Sequence, residues 1–148
     1  MTDDWKNTRL ARFVRRRDRS LLVRAVYAAC LLGATFNHGR ILVQHGLFWD
    51  YGGVPVASAV FWTSLAALDP LAAVMLFVRP NAGVAATGVI IVADVTHNLW
   101  MTARYALPRR FLDAVLTDPL VVSQVAFMLF VATTVPAAWK RAQRPSGQ

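Results

Sequence analysis

Apolar residues run along this chain in four long blocks rather than in narrow stripes. The first opens near Leu21, and its cleanest part is Ala25–Phe36. That part alone is too short, because a membrane-spanning helix needs about 20 residues. The helix is therefore expected to continue through Asn37-His38-Gly39-Arg40 into Ile41-Leu42-Val43. The second block runs from Val54 to Val78, the third from Ala82 to Ala103, and the fourth from Asp118-Pro119 to Trp139. Leu71–Val78 and Gly83–Ala93 are apolar nearly all round. A helix of a soluble bundle shows instead an apolar face of roughly three-sevenths of its surface. In lipid each backbone N–H and C=O must be satisfied within its own helix, which favours long helices without polar faces. The pattern predicts an all-α fold, an integral membrane four-helix bundle.

The connections follow from the breaks between blocks. Arg79-Pro80-Asn81 is short enough to make the second and third helices an antiparallel hairpin. His45–Pro55 reads as a loop, with Gly52-Gly53 as turn signal and Trp49 and Tyr51 suited to a membrane–water interface. Arg104–Thr117 reads as a polar, partly amphipathic loop holding Pro108-Arg109-Arg110. Pro119 falls where a first-turn proline is tolerated. Three parts result: a basic arm over 1–20, a transmembrane domain over 21–139 and a basic tail over 140–148. In the arm, Trp5, Leu10, Phe13 and Val14 are spaced either for a helix lying on the membrane surface or for a solvated arm.

Composition sharpens this reading. Of 148 residues 56% are hydrophobic and 16% charged, where a soluble domain of this size is about a quarter charged. The net charge of +8 invites a nucleic-acid partner, but the basic residues cluster at the chain ends and flank the apolar runs. No zinc-finger spacing and no basic face interleaved with aromatics accompanies them. They are better explained as membrane anchors. With both termini in the cytoplasm, twelve basic residues face inward and four (Arg40, Arg104, Arg109, Arg110) face outward. That imbalance predicts an N-in, C-in multi-pass protein of the plasma membrane or cell inner membrane. The single cysteine, Cys30, lies in an apolar run; it excludes an internal disulfide and is expected to be buried and inert.

Polar residues within the spans demand a reason, since an ionisable group at the bilayer centre costs about 2.5–3.5 kcal/mol on insertion scales. They are Asn37 and His38 in the first span, Asp69 in the second, and Asp94, His97 and Asn98 in the third. Asp94 stands three and four residues before His97 and Asn98, so the three share a helix face. Trp62 and Asp69, seven apart, align in the same way. Asp69 and Asp94 lie at nearly equal distances from the Pro80-Asn81 turn, differing by about two residues, ~3 Å. His38 falls at a comparable height on the first helix. The expected site therefore has Asp94, His97 and Asp69 as its acid–base groups, with Asn37, His38, Trp62 and Asn98 lining it for a ligand.

Each group also has an ordinary structural explanation. Asp69 precedes Pro70 and could bond backbone freed by that proline. Asp94 with His97 could be a structural intramembrane pair, His38 and Arg40 interface residues at the helix end, and the tryptophans belt or packing residues. His38, His97 and Asp94 form a two-His, one-carboxylate set on paper, but no close His pair supports it, and no metal or cofactor is expected. P-loop, dinucleotide and Ser-His-Asp patterns are missing.

The segments Asn37–Leu42, Phe61–Leu65 with Leu68-Asp69-Pro70-Leu71, and Asp94–Asn98 resemble a family of small, uncharacterised bacterial four-span membrane proteins; the resemblance covers about residues 20–105 and implies no function. In architecture alone, with its long first loop, tight second turn and basic C-terminus, the chain is similar to the EXPERA group, which includes sterol isomerase and the sigma-two receptor. That similarity implies a cavity for a lipophilic ligand, with Asp69, Asp94, His97 and Trp62 in it. The glutamates typical of that group are missing here, which weighs against isomerase chemistry. The expected function is binding of a lipid or lipophilic small molecule, with acid–base catalysis as an extension. The rivals are an accessory or scaffold subunit with purely structural polar contacts, and a proton-coupled transporter, for which four spans require oligomerisation. The bilayer is the expected partner, and the sequence leaves the oligomeric state open. A reporter active only in the cytoplasm, fused after Gln148, is expected to be active. A membrane-inserted but silent fusion overturns the orientation.

Overall fold

The computed structural model describes residues 4–105 and 110–142. They form five helices: α1 (Asp4–His45), α2 (Val56–Val78), α3 (Pro80–Tyr105), α4 (Phe111–Thr117) and α5 (Pro119–Ala142). Four of these contain segments long and apolar enough to cross a membrane: Arg19–His45, Val56–Val78, Pro80–Tyr105 and Pro119–Trp139. The chain is an all-α, multi-pass membrane protein. The expected spans agree with these to within a few residues.

Three local features differ from expectation. First, α1 is unbroken from Asp4, so the basic arm is the start of the first helix. No Gly or Pro interrupts Asp4–Ala25, and Arg, Lys and Leu are good helix formers. Extending an existing helix is also far easier than nucleating a new one. The side chains of the proposed surface stripe, Trp5 to Val14, lie outside the described residues, as do Pro108, Arg109 and residues 143–148. Second, the expected turn shrinks to Arg79 alone, because Pro80 already occupies the first position of α3; its fixed φ and missing N–H suit that position. Third, the expected polar loop contains the short helix α4, with Asp113 in its first turn. Asp118 then caps α5, its Oδ1 accepting the Leu120 N–H at 2.8 Å.

The helices pack in a ring. α1 lies against α2, α2 against α3 and α3 against α5, while α5 closes on α1 with less contact. The core joins Tyr27 and Leu31 of α1, Ala72, Ala73 and Leu76 of α2, Val84, Ile91 and Val95 of α3, and Val131 and Ala138 of α5. Many of these are small, as expected where lipid is as apolar as the core and close backbone contact must supply the attraction. Outward side chains such as Leu71, Val74 and Val89 are exposed and meet lipid. Cys30 is among the exposed residues, not buried as expected. In an all-apolar stretch the sequence does not distinguish the face that meets lipid from the face that meets protein.

Two contacts lock the end of the bundle at the α2–α3 turn. A Cβ placed on Gly83 would collide with the backbone of Met75 and Leu76, so the hairpin closes backbone to backbone there. On the other side, Arg24 of α1 donates from Nη1 to the Leu76 carbonyl at 3.0 Å. Leu76 belongs to the last turn of α2, whose carbonyls have no partner within the helix, and a cation at that end also opposes the helix dipole favourably. Tyr27, fully buried, ties α1 to α5: its hydroxyl lies 2.6 Å from Thr134 Oγ1 and donates to the Val131 carbonyl at 3.3 Å. Its ring meets Phe127 and Phe130 edge-on at 6.0 and 5.7 Å.

Gly83→Ala is expected to lower stability by about 1–3 kcal/mol, because the obstructing atoms are backbone and cannot rotate aside. Gly88→Ala meets nothing within 4 Å and should be at least as stable as the native chain. Thermal unfolding of the two variants in the same detergent checks the contrast.

Candidate functional site

At the opposite end of the bundle, where α1 and α2 are joined by a loop, Asn98 is the centre of a hydrogen-bond network across three helices. Its Nδ2 donates to Asp94 Oδ1 at 2.9 Å on α3 and to Gln124 Oε1 at 3.0 Å on α5. Its Oδ1 accepts the Trp62 indole N–H from α2 at 2.8 Å. Both donors of the amide are used, and the indole, a donor only, fixes which way the amide points. One turn further toward the loop end, Ser58 donates to the Met101 sulfur at 3.6 Å. Trp62 with Asn98 and Ser58 with Met101 are level pairs and set the register of the hairpin. Carried down α2, that register puts Asp94 about three residues, ~5 Å, nearer the loop end than Asp69. The carboxyls are thus about a helical turn apart rather than level.

His97 projects from the same face into aromatic company. Phe61, Trp62 and Trp100 surround it with ring centroids at 4.8, 5.4 and 5.6 Å. Its Nε2 is buried without a hydrogen-bond partner. The aromatic contacts continue outward: Trp62 meets Tyr51 at 5.2 Å, Tyr51 stacks on Trp49 at 4.5 Å, and Trp49 stacks on His45 at 3.9 Å. Side chains of the α1–α2 loop therefore reach the intramembrane cluster through an unbroken series of rings.

The expected site residues separate into three groups. Asp94, Asn98 and Trp62 are joined directly by hydrogen bonds, and His97 packs on Trp62. Asp69 is buried at 2% exposure and, among the described residues, takes part in no hydrogen bond. Among the described residues no hydrogen bond joins its carboxyl to the backbone freed by Pro70. His38 is buried with Nδ1 unpartnered. Asn37, its neighbour, is half-buried and has no hydrogen bond to the cluster among the described residues. The expected Asp94–His97 pair does not form, because Asp94 is turned to Asn98 instead. Among the described residues no group of three or more His, Cys, Asp or Glu side chains is placed to hold a metal ion.

Gln124 is the participant that sequence reasoning missed. The available signal was a lone amide five residues into the fourth span, in an otherwise apolar stretch. An amide at that depth needs a partner for the same reason that Asn98 does.

Comparison with family models, with curated proteins and with solved structures gives no match to this chain. The chemistry of the site therefore stands on its own geometry. It offers a satisfied polar clasp around Asn98, a buried carboxyl without a partner, and two imidazole nitrogens without partners.

Asn98→Leu is expected to cost about 2 kcal/mol, since it removes three interhelical or intrahelical bonds averaging ~0.6 kcal/mol each and leaves Gln124, Asp94 and Trp62 unpaired in lipid. Trp62→Phe and Gln124→Leu each remove one bond and should cost less. Chemical or thermal unfolding of the three variants in one detergent gives the ranking.

Proposed function

We propose that the chain binds a lipid or lipophilic small molecule through a polar group that reaches Asp69, Asp94 and His97. The observation that carries this reading is Asp69: a carboxyl buried within a membrane span, with no hydrogen bond to the protein among the described residues. Buried ionisable groups are ordinarily paired, and one inside a membrane without a partner is costly enough to mark a functional position. The unpartnered His97 Nε2 and His38 Nδ1 support the same view, because both are further groups that a bound molecule could satisfy. The surrounding rings of Phe61, Trp62 and Trp100 provide the apolar wall that a lipophilic body requires. If the bound molecule reacts, proton transfer to or from Asp69 or His97 is the chemistry these groups offer. The basic residues favour cytoplasmic termini, which puts the cluster in the outer half of the bilayer.

The Asn98 network favours a second reading, a purely structural clasp, since its bonds satisfy both amide donors and hold three helices together. The two readings assign different residues. Asn98, Gln124 and Trp62 hold the bundle, Asp94 serves both, and Asp69, His97 and His38 are left for a ligand.

Asp69→Asn keeps the shape and removes the charge. Because no hydrogen bond is lost, its unfolding temperature in detergent should stay close to native. Co-purified lipid, identified and counted by mass spectrometry, should fall by about tenfold, equivalent to ~1.4 kcal/mol of binding. Asp94→Asn retains an acceptor for Asn98 and should behave alike. Unchanged lipid content with lowered stability in both variants would favour the clasp over the binding site.

A further inference from the structure

A groove of about 400 Å³ lies between the α1–α2 loop and the first turns of α2. Its walls are Leu47 from the loop and Val54, Val56 and Val60 from the approach to α2 and its outward face, with Thr63 deeper in and Asp50 also lining it. It contains none of Asp69, Asp94 and His97 and is a separate feature from the polar cluster. Val56 and Val60 are exposed on a helix that crosses the membrane, so the groove is continuous with the lipid-facing surface. Asp50 is the one charged group lining it, and its Oδ1 accepts the Gly52 N–H at 3.0 Å, which fixes the carboxyl in place.

We propose that this groove is a binding site for one acyl chain of a bilayer phospholipid, with the lipid's head-group ammonium over Asp50. The apolar walls suit a hydrocarbon chain, and a fixed negative group suits a zwitterionic head while opposing the carboxylate of a free fatty acid. Tyr51 touches both a residue of the groove and a residue of the polar cluster. Its hydroxyl lies 3.5 Å from Thr63 Oγ1, which belongs to the groove, and its ring meets Trp62, which belongs to the cluster. Tyr51 holds a φ of 52°, a left-handed conformation costly for a bulky side chain, and Gly52 and Gly53 follow it at 82° and 90°. A strained residue is retained where its surroundings fix it in place, and this one is held by Thr63, Trp49 and Trp62. From those contacts we infer that Tyr51 divides the groove from the cluster.

The test uses the full chain in phosphatidylethanolamine vesicles carrying a small fraction of the same lipid with a photoactivatable carbene group in its acyl chain. After irradiation, peptide mass spectrometry locates the labelled residues. Labelling at Val54, Val56 and Val60 should exceed labelling at Leu71 and Val74, which are also exposed on α2 but lie outside the groove, by about fivefold or more. Ala59→Phe, which fills the groove, should abolish that excess. Leu47→Asp alters an exposed loop residue, leaves the packing intact and should also abolish it, so the result does not hinge on one variant folding. A carbene-bearing free fatty acid should label the groove weakly. Tyr51→Ala should extend phospholipid labelling inward to Trp62. Even labelling along the whole outward face of α2, unchanged by Leu47→Asp, overturns the site. Equal labelling by the fatty acid overturns the phospholipid as its source. A Tyr51→Ala pattern identical to native overturns Tyr51 as the divider.

Discussion

The meeting of Gly83 with the backbone of Leu76 is the contact on which the rest of this bundle depends. A hairpin joined by a single residue has little freedom in rotation, but its register is set by how closely the two backbones approach, and only glycine permits this closeness. Arg24 secures the same Leu76 from the other side and so aligns α1 with the hairpin. Once those three helices are in register, Trp62 comes opposite Asn98 at the far end, and the interhelical bonds of the polar cluster become possible. An error of one residue at the turn would rotate the facing side chains by about 100° and dissolve the network.

The polar cluster divides into groups whose hydrogen bonds are made and groups whose bonds are not. In water this distinction would carry little weight, since solvent completes whatever the protein leaves open. Within a bilayer there is no such reservoir, and each unsatisfied buried group carries several kcal/mol of cost. Asn98, Gln124 and Trp62 resolve that cost among themselves and hold helices together. Asp69, His38 and His97 do not, which is why the proposed ligand is assigned to them rather than to the more conspicuous network.

Much of the fold is legible in the sequence. Four apolar blocks of bilayer length, a one-proline turn and a glycine-rich loop leave few arrangements open, and the spans match those seen. The grouping of Asp94, His97 and Asn98 on one face was equally legible, because it follows from helical spacing alone. What the sequence hid were matters of side-chain direction between helices. Asp94 could have turned to His97 or to Asn98, both within reach on its own helix; the choice was decided by Gln124 and Trp62, which orient Asn98 from neighbouring helices. Cys30 was misread for a related reason, since its neighbours are apolar on every side and give no clue to which side faces lipid. The helical arm from Asp4 shows the converse: its charge suggested a separate segment, while its lack of Gly or Pro lets one helix run through.

α5 has few buried positions, Val121, Val131 and Ala138, and among the described residues its side chains bond other helices through Gln124 near one end and Thr134 past the middle, where the Val131 carbonyl also accepts from Tyr27. For mutation this is an unequal target. Most exchanges of one apolar residue for another along its outer surface alter only which hydrocarbon a lipid tail touches, so neutral drift is free to rewrite that surface. Gln124 and Thr134 tolerate no such drift, because each side chain supplies a partner to a polar group on another helix. Descendants of this chain should therefore diverge fastest in the fourth span while keeping an amide at the position of Gln124.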